Sequence, residues 1–247
     1  MRANRELRGI HQGEACILLA NGPSVREVDL TSLVGRQAFS VSNGYFHAGF
    51  ENLRPAYHCV PQITYGRMTE EDVVRWFREM HSRLLDAELF LSDTEYDLVQ
   101  RHRLFTGRIV HYLSMRGDFD DLKNLEIPDL SKTIPRGQSV PIMVCLVAMY
   151  MGFKSISMVG VDHDTFLTRR YDYAFEQGVQ KGKDFSVDPS GVTTTSRHDE
   201  FHEMARLWRQ YRALKAIADN NGVSILNANP KSALDEFPFV TLHSLGA

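Results

Sequence analysis

Short apolar runs alternate with segments of helical periodicity along most of this chain. Residues 15–20, 38–41 and 155–162 have the length and apolar character of buried strands. Residues 139–152 and 198–220 have the length and apolar spacing of helices. Strands that alternate with helices form a mainly parallel sheet, because each helix returns the chain to the same edge. The sequence therefore predicts an α/β fold with a Rossmann-like, doubly wound, mostly parallel sheet.

The remaining elements follow the same alternation, without an internal repeat or a linker. Further strands are predicted at residues 56–60, 88–91, 108–113 and 223–226, and further helices at residues 70–85 and 94–102. The chain has 247 residues, of which 43% are hydrophobic, and this is enough to bury one sizeable core. We expect a single domain that spans residues 1–247.

One long segment, residues 163–196, interrupts the alternation. It is polar, rich in Asp, Gly, Thr and Lys, and shows neither the helical nor the strand period. A segment of this length without secondary structure inside a compact domain is usually a functional lid or a disordered segment. The sequence predicts a lid loop here, and we call residues 163–196 the lid.

Charge and cysteine usage narrow the class of protein. A net charge of −3 gives no basic excess for binding nucleic acid or an anionic membrane. Cys16, Cys59 and Cys145 are far apart, and we interpret them as reduced core thiols, which suit the cytosol. No apolar region of a signal peptide follows residues 1–9, and the apolar run 140–151 is too short to span a bilayer. We expect a cytoplasmic protein, with peripheral association at the inner face of the membrane left open.

The first predicted strand ends in the tetrapeptide Asn21-Gly22-Pro23-Ser24. Gly22 allows the backbone to approach a ligand closely, and Pro23 presets the turn. Ser24 can cap a following helix, whose free N–H groups suit a phosphate. The tetrapeptide is neither a G-x-G-x-x-G nor a P-loop motif. The alternative is a tight strand–helix turn with a cap and no ligand.

Five residues, most of them polar, mark the predicted carboxyl ends of the strands. Ligands of parallel α/β sheets bind outside these ends. The residues concerned are Asn21, Asn43, Pro61, Asp162 and Asn227. Together the three asparagines could offer amide groups to a nucleotide base and ribose, although each alone is commonly a structural turn residue.

A second motif precedes the apolar helix that begins near residue 139. Gln138 or Ser139 falls at the predicted N-cap, and Pro141 falls in the first turn, where its missing N–H does no harm. Arg136 lies beside the positive end of this helix, which is unfavourable unless an anion binds between them. The alternative is a salt-bridged surface arginine.

A third motif, Asp162-His163-Asp164, ends the strand at residues 155–162. The two carboxylates could hold Mg²⁺, with Arg169 and Arg170 meeting phosphates. Equally, Asp162 could accept backbone hydrogen bonds and anchor the loop. We favour the structural role for Asp162 and leave both roles open for Asp164.

Two histidines, His198 and His202, stand at the head of the last predicted helix. Their i, i+4 spacing places both on one helix face. The surrounding sequence is not the H-E-x-x-H motif of zinc proteases. An imidazole beside a lid suits a general base for a sugar hydroxyl, and the alternative is a surface or core histidine.

These motifs together resemble the bacterial sialyltransferases of glycosyltransferase family 42. The similarity is carried by residues 17–24 (ILLANGPS), 39–43 (FSVSN), 136–140 (RGQSV), 160–162 (GVD) and 173–175 (YAF). It extends over most of residues 15–232 and is patchy between residues 66 and 132. The same elements occur in a wider superfamily that includes flagellin nonulosonate transferases and an archaeal-type hydroxymethyl-dihydropterin diphosphokinase.

The resemblance implies functions for individual residues. It implies that Asn21, Gly22, Asn43, Arg136 and Ser139 hold the donor. With the other motif residues, the candidate donor-binding set also includes Pro23, Ser24, Gln138, Asp162 and Asp164, and the candidate catalytic residues are His202, His198, Tyr173 and Arg136. His202, the second of the histidine pair, is the implied base, with His198 as its alternative. Tyr173 would steady the leaving phosphate. The chain departs from the family pattern where Asp164 replaces a second tyrosine and Val60 replaces an asparagine.

The resemblance implies an inverting glycosyltransferase of bacterial surface-polysaccharide synthesis. Its partners would be a nucleotide-sugar donor, a CMP-activated nonulosonate such as sialic acid, and a glycan acceptor, with no cofactor required. Family precedent also implies a homo-oligomer. The first alternative is a magnesium-dependent diphosphokinase, in which Asp162 and Asp164 hold Mg²⁺. The second is a catalytically inactive nucleotide-sugar-binding protein.

Overall fold

The computed structural model describes residues 2–64, 66–122, 124–181, 183, 186–188 and 190–242. The strands are β1 Ala15–Leu19, β2 Gln37–Val41, β3 Tyr57–Cys59, β4 Glu88–Ser92, β5 Val110–Gly117, β6 Thr133–Pro135, β7 Ser155–Val159 and β8 Ser224–Asn227. The α-helices are α1 Phe50–Leu53, α2 Glu70–Arg83, α3 Tyr96–Arg101, α4 Val140–Met151, α5 Thr165–Thr168 and α6 Arg197–Asn220. Short 3₁₀ turns join several of these elements.

The eight strands form one sheet in the order β6-β5-β4-β3-β2-β1-β7-β8, and every pairing between them is parallel. From β1 the chain adds strands outward to β6 on one side and then crosses to β7 and β8 on the other. The order therefore reverses between β1 and β7. In doubly wound sheets such a reversal opens a crevice at the carboxyl ends of the strands. The predicted α/β class is confirmed.

Alternate residues of β1 face opposite layers of the molecule. Cys16 and Leu18 belong to the core cluster that α4 and α6 cover. Ile17 and Leu19 pack on the other side, against the 3₁₀ turn Leu30–Leu33. Because both faces are covered, every residue of β1 after Ala15 is buried, which explains its unbroken apolar sequence.

Helix α4 lies in the centre of the larger layer. All its residues from Pro141 to Met151 are buried, since one side contacts the sheet and the other contacts α6. Gly152 ends the helix at φ +97, the left-handed conformation that glycine adopts at no steric cost. The rigid helix fixes its own first turn beside the crevice.

Two local predictions are wrong, and one strand is missed. The Asn-Gly-Pro-Ser turn leads into a 3₁₀ turn, Pro23–Glu27, and Ser24 does not cap it, because the turn begins after Gly22. Strand β6 was not predicted, since three residues that include Pro135 carry no period. The lid is not free of secondary structure: it holds α5 and the isolated bridges Arg170↔Val192 and Val187↔Thr193.

The extent of the lid is only partly described, and the domain organisation is not tested. The lid prediction covers residues 182, 184, 185 and 189, which lie outside the described residues. The single-domain organisation stays a prediction, although all eight strands belong to one sheet. Within the described ranges, no helix combines the length and the apolar character needed to cross a membrane.

Candidate active site

A cleft of about 360 Å³ opens at the carboxyl ends of β1, β2 and β7, at the reversal of strand order. Three stretches of chain form its floor: the turn after β1, the turn after β2 and the segment after β7. The first turn of α4 forms one wall, and lid residues between 171 and 180 form another. A smaller recess of about 260 Å³ lies at the starts of β3 and β4 and holds none of the residues that the sequence singled out.

The structure brings most of the predicted donor-binding residues to this cleft. Those that line it are Asn21, Gly22, Pro23, Asn43, Gln138, Ser139, Asp162 and Asp164, together with the predicted catalytic residue Tyr173. Ser24, Arg136, His198 and His202 are not among the lining residues. The cleft therefore unites side chains from five separate parts of the sequence.

Asn21 and Asn43 follow neighbouring strands and differ in the hydrogen bonds that their side chains make. The Asn21 amide nitrogen donates to the Val41 carbonyl at 3.3 Å, while its buried Oδ1 has no partner among the described residues. Asn43 is 2% exposed, and its Oδ1 accepts a 2.7 Å bond from the Trp76 indole. The amide nitrogen of Asn43 donates to Gln180 of the lid at 2.7 Å. Asn21 thus keeps an unused acceptor, whereas lid and helix α2 hold Asn43 in place.

Asp162 joins the two strands that flank the reversal. Its carboxylate accepts hydrogen bonds from the Ser24 backbone N–H at 2.9 Å and from the Ser24 hydroxyl at 2.6 Å. Asn229 donates a third, at 2.8 Å. These bonds support the structural role that the sequence favoured for Asp162. Ser24 acts as a donor to Asp162, and this is what it does instead of capping a helix.

Position 22 requires glycine because the Asp162 carboxylate lies against its Cα. A Cβ at this position would lie 2.4 Å from Oδ2 of Asp162 and 2.5 Å from the Gly160 carbonyl oxygen. The Gly22 N–H donates to that carbonyl at 2.9 Å. From the sequence, Gly22 is predicted to let a ligand approach the backbone closely. In the structure, the group that approaches its Cα is the segment after β7.

The first turn of α4 faces the cleft with its N-cap residue, Ser139. The Ser139 side chain makes no capping hydrogen bond, and Pro141 has no N–H. Gln138 is fixed from outside by α6: its N–H donates to Gln210 at 2.7 Å, and its Oε1 accepts from Arg206 at 2.7 Å. The N-cap position is as predicted, and the helix end remains polar and positive toward the cleft.

Arg136 is exposed and precedes this helix end by three residues. Its backbone is fixed, because its N–H donates to Gly117 and its carbonyl accepts from Gln210. No ion pair of its guanidinium occurs among the described residues. The alternative of a salt-bridged surface arginine therefore receives no support, and an anion at this helix end would relieve the local repulsion.

Acidic groups dominate the charge of the cleft. Asp162, Asp164 and Asp172 line it, and none of the described lining residues is lysine or arginine. Burial and the neighbouring charge of Asp162 raise the pKa of the Asp164 carboxyl above its ordinary value. Asp164 therefore holds a proton to a higher pH than a free aspartate does.

The Asp162 carboxylate, which the magnesium hypothesis requires, is engaged by other residues of the protein. Both oxygens of Asp162 are engaged by Ser24, and one of them also by Asn229. Within the described part of the chain, no three His, Cys, Asp or Glu residues group as metal ligands. Arg169 donates to the carbonyls of Thr193 and Thr195, which joins the two sides of the lid.

His163 and Tyr211 were missed as site residues. His163 lines the cleft, and its Nε2 lies 2.7 Å from the Tyr211 hydroxyl. Burial lowers the pKa of His163 to about 4, so the ring is neutral at pH 7. Burial raises the pKa of Tyr211. The sequence named His163 within a motif, but nothing in the pattern indicates a tyrosine 48 positions later as its partner.

His198 and His202 lie side by side on the first turns of α6, with ring centroids 4.5 Å apart. Both are exposed. The cleft residue Gln138 donates to the carbonyl of Glu203, the residue after His202, at 3.1 Å. This contact joins the helix backbone next to His202 to a residue that lines the cleft, and the use of His202 as a base stays a prediction.

The lid is attached to the turn after β1. The Ala174 N–H donates to the Asn21 carbonyl at 2.9 Å, and Arg26 donates to the carbonyls of Tyr173 and Ala174. These bonds place Tyr173 over the cleft.

Asn227, the third strand-end asparagine, is fully buried and donates to the Leu234 carbonyl, so its side chain does not reach the cleft.

Solved structures share this architecture. The sialyltransferase CstII from Campylobacter jejuni, in complex with the substrate analogue cytidine-5'-monophosphate, matches with a TM-score of 0.51 and 16% identity, over 93% of this chain and 86% of that one. The monofunctional alpha-2,3-sialyltransferase Cst-I from Campylobacter jejuni matches with a TM-score of 0.52 and 18% identity, over 92% of this chain and 80% of that one. The chain has the fold of these sialyltransferases. No protein-family model matches the sequence, and no curated protein matches it significantly.

Proposed function

We propose that the protein is a glycosyltransferase that moves a sugar, a nonulosonate such as sialic acid, from a CMP-activated donor to a glycan acceptor. The observation that carries the proposal is the placement of the cleft. It combines Asn21, Asn43 and the first turn of α4 at the reversal of strand order. Nucleotides bind at this point in doubly wound sheets. CstII, which has the same fold, was solved with cytidine-5'-monophosphate.

The residues in and around the cleft supply the groups that such a transfer needs. His202 would accept the proton of the acceptor hydroxyl, whose oxygen attacks the anomeric carbon and inverts it. The bond from that carbon to the phosphate oxygen breaks, and the electron pair leaves with CMP. Arg136, Tyr173 and the α4 end at Ser139 would stabilise the negative charge on the departing phosphate.

The lid would protect the donor from hydrolysis. It is attached through Ala174 to the Asn21 carbonyl and through Gln180 to Asn43, the side of the cleft to which we assign the nucleotide. Closing such a lid excludes water, which is the competing acceptor. We therefore propose that donor binding precedes acceptor binding.

Ligand-induced thermal stabilisation tests the proposal. The purified protein is heated with CMP, CDP, UDP, GDP, ADP or ATP, each with EDTA or with Mg²⁺. A ligand at a hundred times its Kd stabilises the folded state by about 2.7 kcal/mol. For a chain of this size that is a rise in Tm of roughly 5–10 °C. We expect this rise with CMP and CDP in the presence of EDTA.

The other outcomes identify the alternatives. Stabilisation confined to ATP or ADP with Mg²⁺ would contradict the CMP donor and favour the diphosphokinase. Stabilisation by CMP without sugar transfer from any CMP-activated donor to glycan acceptors would favour an inactive nucleotide-sugar-binding protein. Release of CMP from a CMP-sugar, measured with and without acceptor, separates transfer from hydrolysis.

A further inference from the structure

His163 has a strained backbone at the wall of the cleft. Its φ is +50, in the left-handed region, where a side chain with a Cβ costs roughly 1–2 kcal/mol. Residues held in such conformations cluster at ligand-binding and active sites, and persist because their surroundings fix them. At His163, a hydrogen bond to Tyr211 fixes the side chain.

The Tyr211 hydroxyl holds the imidazole of His163. It lies 2.7 Å from Nε2, and the two ring centroids are 5.4 Å apart. Tyr211 is fully buried in the core between α6 and α4, so its hydroxyl has one position. Tyr211 also lies in the core cluster that α4 and α6 share, which fixes its ring beside the first turn of α4. The orientation of His163 is therefore set by a buried residue of α6.

This arrangement leaves Nδ1 of His163 for a ligand. Nε2 is taken by Tyr211, and no described residue hydrogen-bonds the other ring nitrogen. His163 lines the cleft together with Ser139 and Val140. These two residues begin α4, a helix of 12 residues whose positive end favours a negatively charged group.

We propose that Nδ1 of His163 donates a hydrogen bond to the phosphate of the bound nucleotide, and that Tyr211 is the positioning residue that aims it. The proposal rests on the proposed function in taking a nucleotide as the ligand of the cleft. A phosphate oxygen only accepts hydrogen bonds, so the ring carries its proton on Nδ1. Nε2 then accepts from the Tyr211 hydroxyl.

Paired titrations with nucleotides and nucleosides test this contact. Isothermal titration compares CMP with cytidine, and likewise UMP, GMP and AMP with their nucleosides, in wild type and variants. For the monophosphate that binds, His163→Phe should weaken binding by about tenfold or more, since a hydrogen bond to a charged group is lost. The affinity for the matching nucleoside should stay unchanged. His163→Asn should recover part of the loss, because asparagine tolerates the left-handed backbone and its amide donates.

A double-mutant cycle tests the positioning by Tyr211. Tyr211→Phe removes only the hydroxyl, and we expect it to weaken monophosphate binding several-fold in wild type and not at all in His163→Phe. The control is Tyr150→Phe, another buried tyrosine, on α4, whose hydroxyl donates to Asp129. It should leave nucleotide binding unchanged. Circular dichroism and thermal unfolding verify that each variant is folded.

The proposal is overturned if His163→Phe leaves monophosphate binding unchanged or weakens nucleoside and monophosphate equally. It is also overturned if Tyr211→Phe has the same effect in both backgrounds. The proposed function fails separately, when the monophosphate that binds is not CMP, because the contact concerns the phosphate of whichever nucleotide binds. If wild type binds no nucleotide, both proposals are wrong.

Discussion

Replacing Gly22 with alanine tests the packing on which the floor of the cleft depends. The backbone of Gly22 has φ −64 and ψ 154, which alanine adopts without strain. The added Cβ, however, would lie 2.4 Å from the Asp162 carboxylate, and ordinary contact begins at 3.4 Å. The carboxylate or the turn must therefore move by roughly 1 Å. The cost of Gly22→Ala is thus steric and falls on Asp162 and on the Gly160 carbonyl, whose oxygen would lie 2.5 Å from the same Cβ.

The size of the effect follows from the bonds that this movement breaks. A shift of roughly 1 Å takes the 2.9 Å bond from the Ser24 N–H out of hydrogen-bonding range. A hydrogen bond to a charged group contributes about 1.5–3 kcal/mol. With the Ser24 hydroxyl bond also disturbed, we expect Gly22→Ala to lower the free energy of unfolding by about 3 kcal/mol or more. Urea unfolding measures it, provided the m-value is unchanged.

Gly35 supplies the matched control. Its φ is +85, and a Cβ there would meet nothing within 4 Å, so Gly35→Ala reports backbone strain without crowding. That strain should cost about 1–2 kcal/mol. The double variant Gly22→Ala/Asp162→Ala should cost less than the sum of its single variants, because the clashing carboxylate is gone. If Gly22→Ala costs no more than Gly35→Ala, the reasoning is refuted.

Two further predictions concern histidines. His202→Ala should lower kcat by about 10²–10⁴, as expected for a general base, and His198→Ala by much less, with CMP binding retained in both. Full turnover in both variants would exclude the proposed base, and the assay is CMP release from the donor. Burial lowers the pKa of His47 to about 4, so the unfolded chain binds the proton first and stability falls as pH drops from about 6.5 toward 4. Between pH 7 and pH 5, protonation of His47 in the unfolded chain should lower the free energy of unfolding by about 2 kcal/mol. In urea unfolding, the free energy of unfolding of His47→Gln should therefore decrease over this pH range by about 2 kcal/mol less than that of wild type. Equal decreases in the two proteins would contradict the prediction.

The sequence predicts the elements of this fold well where they are periodic or apolar over several residues. Strands β1, β2 and β7 and helices α2, α4 and α6 lie within a few residues of their predicted positions. Each of these elements is specified locally, by its period and by the glycine or capping residue at its end. Strand β6 has three residues and a proline, so its pairing with β5 is the only feature that makes it a strand.

The sequence predicts only part of the candidate site, because residues with the same local sequence pattern have different tertiary contacts. Asn21, Asn43 and Asn227 each stand at the end of a strand. Only the first two line the cleft, because the chain after β8 folds over Asn227, which is fully buried and donates to the Leu234 carbonyl. The strand order is set by contacts between distant residues, and no local period encodes it.

The sequence by itself determined the parallel α/β architecture and pointed to the turn after β1 as the start of the site. Only the tertiary structure decided that Gly22 and Ser24 serve the Asp162 carboxylate, 138 residues after Ser24, and that Tyr211 holds His163. The physical reason is that helix and strand propensities act over a few neighbouring residues. The hydrogen bonds that aim buried side chains form between residues that only the packed core brings together.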